Sequence, residues 1–119
     1  VVHMVSDVSG TLAPDQTSVT ALQYGFPAGT VTGAPKIRAM ALINELESEA
    51  RGSYSGAVVF FDFCNQLKST LIIRSMFIQN GGVTTQAAAG VVADSVPEQE
   101  WLETENKMRS AVEAMEACV

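Results

Sequence analysis

The stretch from Pro27 to Met40, PAGTVTGAPKIRAM, constrains this chain more than any other, because it compresses a turn, a helix start and close backbone approach into a few residues. Gly29 and Gly33 lack a Cβ, so each tolerates positive φ and lets backbone or ligand come near. Pro35 suits the first turn of a helix. From Ala39 the apolar positions Ala39, Leu42, Ile43 and Leu46 recur at i, i+3, i+4 and i+7, the stripe of a helix that docks on a sheet. The free N–H groups of that helix start, the positive end of its dipole and Lys36 make it a candidate anion site, alongside the plainer reading of a loop that joins a strand to a helix. Neither the P-loop signature nor a GxGxxG is present.

The flanking segments read as strands and helices. Val1 to Val8 alternates His3 and Asp7 on one face against Met4 and Ser6 on the other, the pattern of a strand, in which a lone histidine is ordinarily just a satisfied residue. Thr17 or Ser18 caps a short helix through Tyr24, closed by Gly25. The helix beginning in the organising stretch is expected to end near Ser48 to Gly52, where Arg51-Gly52-Ser53 has turn chemistry. Ser55 to Phe63, Leu67 to Gln79 and Val83 to Val92 then read as an antiparallel meander of three strands. Arg74 falls inside the most apolar of them, where a guanidinium needs either an internal salt bridge or a ligand carboxylate.

Ser95 to Val119 reads as the last helix, with a capping box from Ser95 to Glu98 and Pro97 in its first turn. Its packing stripe is Trp101, Met108, Val112 and Met115. Glu100, Glu103 and Lys107 fall at i, i+3 and i+7 on another face, so two carboxylates and an ammonium point the same way. A solvated face explains this spacing. So does a hard-cation site, since Mg²⁺ usually takes one or two carboxylates and completes its shell with water and substrate.

At 119 residues the chain is one domain at most. Hydrophobic content of 47% with 17% charged residues fits an ordinary globular protein, and no apolar run approaches a membrane span. The net charge of −6 disfavours a phosphate backbone as partner. Cys64 and Cys118 are too few for a disulfide framework, which fits a reducing, cytoplasmic compartment. The sequence opens on Val1 in strand-like residues without an initiator methionine, so residues 1–119 read as a single partial domain excerpted from a longer chain.

Taken together, PAGTVTGAPKIRAM, VVHMVS, RGSYSGAV, IIRS and the run from Gly90 to Lys107 resemble the C-terminal catalytic segment of chorismate-utilising enzymes, most nearly the anthranilate synthase component I branch. The resemblance covers nearly the whole chain, with its motifs in order. It implies a Mg²⁺-dependent reaction in which chorismate is aminated by ammonia from a glutamine amidotransferase subunit and loses pyruvate to give anthranilate. By motif match, Glu100 and Glu103 would lie at the metal, Glu103 the firmer ligand with Lys107 beside it, and a second acidic site of such enzymes belongs upstream of this segment. Arg74 and Tyr54 would hold the enolpyruvyl carboxylate, Gly90 would supply backbone approach, and Thr30 would line the ring pocket. His3 would act as acid or base near the reacting ring.

Three positions depart from the family pattern: Lys68 stands where an Asp is usual, Val59 where a Gly is usual, and Ala88 where a Gly is expected near a substrate carboxylate. They keep open a non-catalytic relic or binding module, and the product of the fold also remains open between anthranilate, aminodeoxychorismate and isochorismate. The expected architecture is α+β, an antiparallel sheet of about four strands with helices packed on one side, part of the larger chorismate-utilising sandwich. Exposed sheet edges and an incomplete core are expected, managed by self-association or strand exchange.

Overall fold

In the computed structural model, which describes residues 6–117, helix α1 spans Ser18–Gly25 and is opened by Thr17, as its sequence requires. The Thr17 hydroxyl accepts from the Thr20 N–H, and Thr20 Oγ1 accepts from the Thr17 N–H at 2.8 Å, a reciprocal cap that satisfies two free donors. Residues 1–5 of the expected first strand, His3 among them, lie outside the described residues, and 6–10 form no strand.

The organising stretch forms two helices rather than one. The short α2, Gly29–Thr32, ends at Gly33, whose φ of 90° and N–H bond to the Gly29 carbonyl close the turn. A Cβ at Gly33 would also meet the Ala39 Cβ at 3.3 Å, so this position favours glycine on two counts. Nothing surrounds Gly29 in the same way. Helix α3 follows over Lys36–Leu46 with Pro35 as its N-cap residue, and it ends slightly earlier than its sequence implied, at Glu47. Ala39, Leu42 and Ile43 are half-buried, but Leu46 is 75% exposed, and the main packing partner of α3 is α2 rather than a sheet.

Four strands follow: β1 (Ala57–Phe61), β2 (Leu67–Leu71), β3 (Met76–Gln79) and β4 (Gly82–Thr85). They form two antiparallel hairpins, with Val59 opposite Ser69 and Ile78 opposite Val83, instead of one continuous meander. The long second strand expected over Leu67 to Gln79 breaks because Arg74 adopts φ 53°, a left-handed conformation that a ladder cannot continue through. Arg74 is exposed between the hairpins and makes no ion pair among the described residues, so neither an internal salt bridge nor a strand interior accounts for it. The tight links use left-handed Asn65 (φ 60°) and Asn80 (φ 52°), residues that tolerate this region. Each strand has a single ladder partner among the described residues, so the free sheet edges expected from sequence are present.

Helix α4 runs over Pro97–Glu116 with Pro97 in its first turn. The expected capping box does not form: Val96 is the N-cap residue, and the Ser95 hydroxyl instead accepts from the Val92 N–H at 3.0 Å, which tightens the preceding turn. The covered stripe is also rotated from the expected one. Glu100, Thr104, Lys107, Met108 and Ala111 are half-buried, whereas Trp101 is 68% exposed.

No hydrophobic side chain among the described residues is buried, and Ser55 is the one buried residue. The accessible surface is 9872 Å², against about 6,200 Å² for a closed monomer of this mass. The radius of gyration is 17.1 Å, against about 13.5 Å for a compact domain of this length. Roughly 3,700 Å² of surface that a closed domain would hide is therefore open to water.

Candidate functional site

The densest polar structure lies where α2, the end of α3 and the start of β1 meet, and Arg51 is its centre. The Arg51 Nε donates to Glu47 Oε2 at 2.8 Å while Nη2 donates to the other carboxylate oxygen, a bidentate pair across the α3 terminus. Its Nη1 reaches the other way, donating to the Val31 carbonyl at 2.7 Å and to Ser55 Oγ at 3.1 Å. The guanidinium carbon also lies 5.6 Å from the Tyr54 ring centroid. The Glu47 carboxylate raises the Arg51 pKa above its ordinary value and outweighs the opposing effect of burial.

Ser55 carries this junction into the first hairpin. Its backbone is left-handed at φ 68°, its N–H donates to the Ile72 carbonyl at 3.1 Å, and the Ile72 N–H returns to the Gly56 carbonyl at 2.9 Å. Gly56 has no freedom to be anything larger here, since a Cβ would meet the Ser53 carbonyl oxygen at 2.9 Å. Of the nominated residues Tyr54 lies beside the guanidinium, whereas Thr30 and Arg74 are neighbours in sequence only, Thr30 preceding Val31 and Arg74 following Ile72 by two residues. Thr30 and Arg74 are exposed and Tyr54 is half-buried.

A second group forms around α4. Lys107 Nζ pairs with the Glu103 carboxylate one turn earlier and donates to the Ala88 carbonyl at 2.8 Å, which ties the helix to the segment carrying Gly90. That segment continues from β4, where Thr85 Oγ1 donates to the Ser75 carbonyl at 3.1 Å, next to Arg74. Glu100 shares the half-buried stripe with Lys107. Gly90 is exposed, with no heavy atom within 4 Å of where a Cβ would stand. The nominated His3 lies outside the described residues.

Glu100 and Glu103 are hard oxygen donors spaced i, i+3, a set that suits Mg²⁺ provided substrate and water complete the shell. Among the described residues no group of three or more His, Cys, Asp or Glu side chains converges as a cage. The three departures are placed without conflict. Lys68 is exposed on β2 opposite Phe60, Val59 is half-buried on β1, and Ala88 meets Lys107 through its carbonyl, so its methyl group leaves that bond intact.

An open concavity lies elsewhere. An open groove of about 820 Å³ runs between α1 and the β1–β2 hairpin, lined by apolar residues such as Leu22, Phe26, Ala57, Leu67 and Leu71, and none of the nominated site residues among those described lines it. The sequence reading missed Arg51 and Ser55 as organising residues. Arg51 was visible only as turn chemistry, although its i, i+4 spacing from Glu47 is the available signal. No described helix is long and apolar enough to cross a membrane.

Comparison with known proteins accounts for the order of these segments. The family model for chorismate binding enzymes matches residues 1–113. The chain is 52% identical to anthranilate synthase component 1 of Synechocystis over 98% of its own length. Similar matches cover 98% of the chain at 48% identity in the Bacillus pumilus protein of that name and at 47% in that of Aquifex aeolicus. It spans about a quarter of the length of these curated relatives, between 23% and 24%. A family model that covers nearly the entire chain, with relatives at about half identity, settles its membership: the chain belongs to the chorismate binding enzyme family.

Proposed function

We propose that this chain is the C-terminal, substrate-contacting segment of an anthranilate synthase component I, which forms anthranilate and pyruvate from chorismate and ammonia once the remainder of the fold is joined to it. The observation that carries this reading is the near-complete match to proteins named anthranilate synthase component 1. The ammonia would come from glutamine through an amidotransferase subunit, in a cytoplasmic setting. Chorismate has two carboxylates, and the two groups of residues provide a handle for each. Arg74 and Tyr54 hold the enolpyruvyl carboxylate, with Gly90 giving backbone access, while Thr30 forms a wall of the ring pocket. Glu100 and Glu103 would hold Mg²⁺, which would supply Lewis-acid chemistry toward the other carboxylate. Lys107 shares Glu103 and keeps α4 against the Gly90 segment. His3 moves a proton in the elimination of pyruvate.

Residues 1–119 act here as a single partial domain of a longer chain. The uncovered apolar surface supports this, and it also implies that the isolated chain self-associates or exchanges strands. Light scattering on a chromatographed sample that gave a well-folded 12.6 kDa monomer would contradict that part.

The activity is tested by inserting the chain in place of the matching quarter of the Synechocystis enzyme and supplying chorismate, Mg²⁺ and ammonium. Fluorescent anthranilate is the expected product. Aminodeoxychorismate or isochorismate in its place, or a folded hybrid with no product, overturns the assignment.

A further inference from the structure

We infer that Arg51 is a positioning residue for substrate binding, a clamp that sets Thr30, Tyr54 and Arg74 relative to one another without touching substrate itself. The inference rests on the reading of those three as chorismate contacts. Its physical basis is the two-sided use of one guanidinium: one edge is locked on Glu47, the other spans the Val31 carbonyl and Ser55 Oγ, and Tyr54 lies 5.6 Å away. Each attachment fixes the backbone next to one nominated contact. Val31 follows Thr30 in α2. Ser55 follows Tyr54, and its N–H reaches the Ile72 carbonyl, two residues before Arg74.

The junction is also the best-covered part of the chain, since Ser55 is its one buried residue among those described. Ser55 and Arg74 both hold left-handed backbone, at φ 68° and 53°, a conformation uncommon for residues that carry a Cβ. A lysine at position 51 keeps the charge but not the planar fork, so it cannot serve the carboxylate and the two opposite acceptors together.

The test uses the hybrid with the Synechocystis enzyme, carrying either Arg51→Lys or Glu47→Gln. For R51K the expected result is a KM for chorismate raised about tenfold with kcat changed less than about threefold, the pattern of lost binding that is equal in ground and transition states. E47Q, which keeps the Val31 and Ser55 bonds, is expected to shift KM in the same direction by about threefold. A second readout needs no turnover. Hydrogen exchange should accelerate in peptides covering residues 51–57 and 70–75 while the hairpin at 76–85 is unchanged. Unchanged exchange there, or an R51K KM equal to the parent, overturns the clamp. A hybrid that makes no anthranilate with Arg51 intact overturns the proposed activity instead, and leaves the exchange measurement to decide on Arg51.

Discussion

The Arg51 junction and helix α4 show two ways in which a segment of this fold is held. At the junction, a single side chain closes bonds to an α3 carboxylate, an α2 carbonyl and a β1-side hydroxyl, and all partners lie between Val31 and Ser55. This unit completes itself from local sequence. Helix α4 is tied by the Lys107 bond to Ala88, and its apolar residues Val112 and Met115 stay exposed over a small cleft beside β3 and β4. The difference is that the Arg51 junction satisfies its polar groups among the described residues, whereas the apolar residues of α4 remain uncovered by them.

Breaking the junction should have the largest effect. Arg51→Met removes a bidentate charged pair and leaves the Val31 carbonyl without its donor, with an expected loss of about 2–3 kcal/mol in urea unfolding followed by circular dichroism. A loss under about 0.5 kcal/mol would remove the distinction between the two regions. Next, Lys107→Met should loosen α4 by about 1–2 kcal/mol while hydrogen exchange at Ser55 and Ile72 stays as it was. Equal acceleration in both places would mean that the regions are not independent. Thr17→Ala abolishes the reciprocal cap of α1 and should cost about 1 kcal/mol, read as faster exchange in Ser18–Gly25 alone.

The smallest effect is a null one. Because the folded Arg51 pKa is raised, the stability that it contributes is fully present below the unfolded value and is lost only as pH rises through the still higher folded value. Unfolding midpoints should therefore show no pH dependence from this arginine between about pH 6 and 9. A step in that window that disappears in Arg51→Met would contradict the pairing.

Much of the fold was legible because its signals are local. Thr17 before a short helix and Pro97 at a helix start each impose a backbone geometry through their own chemistry. What was illegible depended on long-range context. Nothing in LKSTLIIRSMFIQ marks Arg74 as left-handed, so two hairpins read as a meander. Ser95 matched a capping box by spacing, but its hydroxyl serves Val92 instead. Likewise Trp101 was placed on a packing stripe because it is large and apolar, yet the face carrying Glu100, Thr104 and Lys107 is the covered one. At the candidate site, ordered motifs nominated residues by resemblance, while the bonds of Arg51 to Glu47, Val31 and Ser55 depend on a fold that turn chemistry alone does not reveal.

Under the proposed function, these residues form a chorismate site only when the open apolar surface is covered by the rest of the fold. The most direct measurement compares anthranilate fluorescence from the isolated 119-residue chain with that from the same chain joined into the Synechocystis enzyme, each given chorismate, Mg²⁺ and ammonium. Turnover by the joined chain and none by the isolated one is the expected result; turnover by the isolated chain would contradict it.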